Sequence, residues 1–156
     1  IKKQRGLLET DFLKYLEYSL HVHKNGAMLV VPAEKNIQDG FPNTKAICDI
    51  ALLLVAQIRE SLSEKKLQLN PAGGITLSRV AFDERVALLK EKTGSNWSKE
   101  FREMSPVGLA EKLVDYLEEF KMLRQLYDGR EIEILPLAGK LMGIYPKAVI
   151  KGNGEN

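Results

Sequence analysis

Apolar residues recur every three or four positions in some stretches of the chain and every second position in others. The switch between these two spacings marks out its elements. From Ile47 onward, Ile50, Ala51, Leu54, Val55, Ile58 and Leu62 fall at helical intervals, with Leu52 and Leu53 beside them. A helix over about 44–63, capped by Asn43 or Thr44, is predicted to sit centrally in a core, since it is apolar on nearly all sides. NPAGG at 70–74 predicts a turn, and Ile75, Thr76 and Leu77 a very short strand. Ser78 then caps a second helix to about Lys92, with Phe82, Val86 and Leu89 on one face and Gly94 as its stop. SNWSKEFREM at 95–104 reads as a short helical turn. Ser105-Pro106 opens a third helix whose Leu109, Leu113, Tyr116, Leu117 and Phe120 form one amphipathic stripe. Strands over 122–127 and 131–135 flank Asp128-Gly129, a turn signal because its residues tolerate positive φ. Pro136 starts a last short helix to about Met142.

Ahead of these elements, Leu16, Tyr18, Leu20 and Val22 alternate with Glu17, Ser19, His21 and His23, the period of a half-buried strand. Asn25-Gly26 predicts a hairpin turn, Ala27–Val31 the return strand and Pro32 its end. Residues 1–14 suggest a short helix, and 33–43, with Asn36, Asp39, Gly40 and Pro42, a linker. A lone hairpin is not stable by itself. Residues 1–36 are therefore expected to be the tail of a truncated neighbouring domain plus linker, and the start at Ile1 rather than Met fits a fragment. Residues 37–150 are expected to form one domain, and 151–156 a disordered tail. The order helix, short strand, helix, helix, strand, turn, strand predicts an α+β, mostly α fold. Its specific form would be a winged helix-turn-helix: three helices plus a small antiparallel sheet whose hairpin is the wing.

Composition narrows the classes without choosing among them. The chain has 156 residues, 44% hydrophobic and 28% charged, with a net charge of +2. That balance suits an ordinary globular protein, and it permits nucleic-acid binding only if the basic residues cluster. The single cysteine, Cys48, rules out an internal disulfide framework and is expected to be buried; with no signal peptide, it fits a cytoplasmic setting. The longest apolar run, 46–58, contains Asp49 and Gln57 and is too short to span a bilayer.

A winged helix that reads DNA turns Arg, Lys, Asn or Gln of its third helix toward the bases. Here that helix carries Lys112 against Glu111, Asp115, Glu118 and Glu119. Its stripe must face the core, which leaves the acids outside, where phosphates would repel them. Lys99, Arg102, Arg124, Arg130, Lys140 and Lys147 lie in or after the following elements and could form a phosphate track. Glu100, Glu103, Asp128 and Glu131 alternate with them, which favours a mixed solvated surface. Trp97 is expected to pack under the third helix, or to serve as a partner anchor. His21 and His23 share a strand face but lack a third metal ligand, and Gly73-Gly74 lacks the Lys-Ser/Thr of a P-loop. No constellation resembles an active site, so no enzyme activity, metal or cofactor is expected.

The strings FPNTKAICDIALLL, GGITLSRVAFDERV, NWSKEFREMS and ILPLAGKLMGIYP, in that order over about 41–147, resemble the C-terminal half of a bacterial family. It is the MukE-like kite subunit of the condensin-like SMC complexes in Wadjet-type plasmid-defence operons. The resemblance implies tandem winged-helix domains, no catalysis, homodimer formation, binding to a kleisin that bridges an SMC ATPase, and DNA contact through the assembled complex. It singles out Trp97, Lys99 and Arg102 in WSKEFRE. Arg124, Arg130 and Lys140 complete the candidate contact residues. The wing is expected to complete the sheet and present an edge to a protein partner. The contrasting expectation is a DNA-binding winged-helix transcriptional regulator.

Overall fold

The computed structural model describes residues 4–16, 18–23, 26–30 and 40–141. The chain divides into two compact units, Ile1–Asn43 and Thr44–Asn156. That boundary falls at the end of the 33–43 stretch read as a linker, seven residues after the domain boundary expected at 36.

The first unit holds helix α1 (Arg5–Leu16) and the strands β1 (Ser19–His23) and β2 (Gly26–Val30). In α1 the Arg5 guanidinium pairs with Glu9 one turn later, and no residue of the helix is buried. β1 shows the expected alternation, with Val22 buried, Tyr18 and Leu20 half-buried, and Ser19 and His21 exposed. The strands are antiparallel and His23 pairs with Gly26. Gly26 is therefore the first residue of β2 rather than a central turn residue. Asn25, most of the 33–43 linker, the expected helix end at Met142 and the 151–156 tail lie outside the described residues.

The second unit contains α2 (Ala46–Ser63), β3 (Ile75–Ser78), α3 (Arg79–Thr93), a single 3₁₀ turn at Gly94–Asn96, α4 (Lys99–Glu103), α5 (Pro106–Glu119), β4 (Leu123–Leu126), β5 (Glu131–Ile134) and α6 (Pro136–Leu141). It is mostly helical with one small antiparallel sheet, of strand order β3-β5-β4. This order is compatible with a winged-helix-like fold. Cys48, Ile50, Ala51, Leu52, Leu54, Val55 and Ile58 of α2 are buried, as are Phe82, Val86 and Leu89 of α3. From α5, Leu109, Leu113, Tyr116 and Leu117 join them, and Ile132 and Ile134 close the core from the sheet. α3 packs along α5, α2 touches both, and Arg85 donates from α3 to the buried Ser61 hydroxyl of α2.

Two of the three long helices start as expected. Ser78 Oγ accepts from the Ala81 N–H and Ser105 Oγ from the Gly108 N–H, so each supplies a partner that the first turn lacks. α2 differs. Its N-cap is Lys45, whose side chain does not cap the first turn, and the Asn43 amide donates to the Gly40 carbonyl. Gly94 also differs from its expected role. Its φ is −61°, right-handed, so it carries α3 into the 3₁₀ turn. It must be small for another reason: a Cβ there would lie 3.2 Å from Lys90 Cγ and 3.7 Å from the Trp97 ring.

The second hairpin is centred on Asp128-Gly129, as expected, and Arg130 N–H donates across that pair to Tyr127 O at 3.2 Å. Leu126 pairs with Glu131, so 127–130 form a four-residue loop. Gly129 N–H donates to Leu126 O at 3.1 Å. The two residues inside that turn, Tyr127 (φ 50°) and Asp128 (φ 55°), are both left-handed, as is Gly129 (φ 81°). The register keeps Ile132 and Ile134 on the core side, opposite Gln125 and Leu123; a slip by one residue would move every side chain of one strand to the other face. The left-handed conformation costs a non-glycine residue about 1 kcal/mol.

Replacing Ser105 with Ala is expected to cost about 1 kcal/mol, whereas Thr44→Ala should fall within about 0.5 kcal/mol. Denaturant midpoints measured at unchanged slope check both.

Candidate partner-binding surface

The sheet's outer face is built around one carboxylate. Thr76, Glu133 and Arg124 are cross-strand neighbours in a single row over β3, β5 and β4. Glu133 is 4% exposed. One of its carboxylate oxygens accepts from the Arg124 guanidinium, and the other accepts from Asn70 Nδ2 at 2.7 Å. Asn70 has a second task. Its Oδ1 accepts from the backbone N–H groups of Ala72 and Gly74, which folds NPAGG into its turn. Burial pushes the Glu133 carboxyl up, but the bonds from Arg124 and Asn70 and the Arg124 charge outweigh it, and its pKa lies below the ordinary value. Neither Glu133 nor Asn70 stood out in the sequence. The alternation EIEI at 131–134 signals only that Glu133 points away from the isoleucines.

The candidate contact residues separate into different roles. Arg124 is bound to Glu133, so its guanidinium serves the sheet. Arg130 is exposed in the hairpin loop, and its carbonyl accepts from Arg79 N–H at 2.8 Å. Lys99 is exposed and lies 3.9 Å from Glu103, its partner on α4. Arg102 is exposed, with no ion pair among the described residues. The backbone of Lys140 lies on α6; its side chain is outside the described residues.

Trp97 is half-buried over Gly94 at the end of α3, with the Lys90 ammonium 5.8 Å from its ring centre. Its indole N–H is buried and finds no acceptor among the described residues. The same ammonium donates to the carbonyls of Phe101 and Arg102, at 2.8 Å each. A five-residue helix does not persist unaided, so Lys90 and Trp97 hold α4 against the end of α3.

These basic groups do not merge into one patch. The pair Lys112–Glu100 sets α4 beside Lys112 of α5, and the bonds from Gln125 to Glu118 set the hairpin beside Glu118. Six residues separate those two points, about 9 Å of helix rise. Between and beside them Glu111, Asp115 and Glu119 are exposed, and none has an ion pair among the described residues. Together with Val107, which is 59% exposed, they fall four apart on one outward stripe. Glu118 also changes the wing's expected edge. Its carboxylate accepts from the outward-facing N–H of Gln125, so the edge of β4 is partly closed.

Two open grooves lie in this unit. One, about 530 Å³, is lined by α2 and the end of α3; the other, about 310 Å³, lies between α2, the sheet end and α6 and is mainly apolar. Neither joins a nucleophile to a base. Among the described residues no three His, Cys, Asp or Glu side chains gather as a metal site, and no helix is long and apolar enough to cross a membrane.

The molecule is thus a mixed α+β chain, mostly helical, whose charged surface lies on and beside α5. It belongs to the family DUF2398, described as a protein of unknown function, whose model matches residues 1–143. No curated protein and no solved structure matches it.

Arg124→Ala leaves the buried Glu133 with one donor fewer. The expected cost is about 1–2 kcal/mol, at the low end for a buried acceptor because Arg124 is itself 57% exposed. Arg130→Ala should stay within about 0.5 kcal/mol. The depressed Glu133 pKa adds a pH signature. Its contribution is fully present above the ordinary glutamate value, about 4.5, and is lost as pH falls through the lower folded value. Unfolding free energies measured for wild type and Glu133→Gln across this range should converge toward acid.

Proposed function

We propose that the second unit is a winged helix, with α2, α3 and α5 as its three helices and the β4–β5 hairpin as its wing. The protein is then a non-catalytic scaffold subunit of a condensin-like SMC complex in bacterial plasmid defence. It binds a kleisin, through it an SMC ATPase, and touches DNA as part of the assembly, in the cytoplasm.

The observation that carries this reading is the outward face of α5. In a winged helix that reads DNA this face enters the major groove. Here it carries Glu111, Asp115 and Glu119 without compensating cations, and its one lysine is paired with Glu100. Phosphates are repelled by such a face, whereas a protein partner can meet it with basic residues of its own. The basic groups that remain, Lys99, Arg102 and Arg130, are scattered, which suits weak and sequence-independent DNA contact. The family resemblance supports the kleisin as partner, and the helix–strand order supports the winged helix.

Co-expression of the full-length protein with kleisin and SMC subunits of a Wadjet-type operon is expected to yield a complex that co-purifies through size exclusion. In a salt titration, duplex binding by the protein alone should be weak and vanish by physiological ionic strength. Sequence-specific binding that survives there would favour the transcriptional regulator and sink the scaffold reading.

A further inference from the structure

Tyr127 occupies a position that the fold would fill better with another residue. The turn inside the wing needs two successive positive φ angles, which Asn and Gly adopt readily and bulky side chains resist. Tyr127 stands first in that pair at φ 50°. Its ring gives nothing back to the chain. The residue is 70% exposed, and its side chain makes no hydrogen bond or ring contact among the described residues. A strained backbone under an exposed aromatic is a combination that stability alone disfavours.

We infer that Tyr127 is an anchor for a protein partner, inserting its ring into an apolar socket. The surroundings point to protein rather than nucleic acid. Val80, which is 67% exposed, follows Arg79, whose N–H bonds to the carbonyl of Arg130 in the wing loop. The loop's one cation, Arg130, stands between Asp128 in the turn and Glu131 at the start of the following strand. With no excess of positive charge there, the tip suits a partner that brings no phosphates. Tyrosine also concentrates contact area with little side-chain entropy to lose, which is why it recurs at the centres of interfaces. The inference rests on the scaffold reading for the partner's identity, the kleisin. For the residue it rests on the geometry of the turn.

The test compares Tyr127→Asn, which relieves the backbone and removes the ring, with Tyr127→Phe, which keeps both ring and strain. Full-length protein is used, with the kleisin subunit as the probe. Tyr127→Asn is expected to melt about 4 °C higher and to bind the kleisin about 30-fold more weakly. Tyr127→Phe should resemble wild type in both. Tyr127→Gly repeats the test if the Asn variant folds poorly. A wild-type complex that Tyr127→Asn leaves at full affinity overturns the anchor alone. No complex with the wild type overturns the scaffold reading and the anchor with it. Lower melting of both the Asn and Gly variants would show that the ring serves the fold, and loss of duplex binding with intact kleisin binding would assign it to DNA; either result overturns the proposal.

Discussion

A single buried carboxylate governs the second unit's sheet. Glu133 lies in the central strand, held by Arg124 from one neighbouring strand and Asn70 from the turn before the other. The three groups reach one another in only one register, since a slip by one residue would send Glu133 into the core and bring Ile132 or Ile134 out. The apolar and polar faces of β5 therefore demand the same pairing. That pairing sets the length of the wing loop and, through it, the left-handed turn at Tyr127 and Asp128. Removing the carboxylate's donors weakens more than an ion pair. It loosens the polar constraint that specifies where the wing turns.

Much of this could be read from the chain directly. The three long helices follow from apolar spacing, and α3 and α5 begin at the serines whose hydroxyls cap them. Local chemistry suffices there because donor and acceptor are three residues apart. It fails where competing partners are distant or equivalent. Asn43 has the right side chain to cap α2, yet bonds backwards to Gly40. Gly94 has the right residue type for a left-handed stop, yet is right-handed and passes the chain into the 3₁₀ turn. Asp128-Gly129 marks the centre of the wing loop, yet nothing local forecasts that Tyr127 joins them in the left-handed region. Glu133 and Asn70 are 63 positions apart, and no local pattern joins them.

The candidate surface was legible in its charges but not in their pairing. The acids of α5 face outward because its stripe faces inward, as its spacing requires. Lys99, Arg102, Arg124 and Arg130 read as parts of one possible track, and the structure gives Arg124 to Glu133 and sets Lys99 beside Glu103. What the pairing leaves over decides the character of the surface. Three uncompensated carboxylates remain on α5, with isolated cations at either end.

The burial of Cys48 has a practical consequence. It is the only thiol in the chain and is 0% exposed, in the helix that packs against α3, α5 and α6. A thiol reagent cannot reach it while α2 is packed. Its rate of labelling therefore follows opening of the core, with no background from other cysteines. The chain carries its own chemical clock for breathing, read at a position fully closed to solvent.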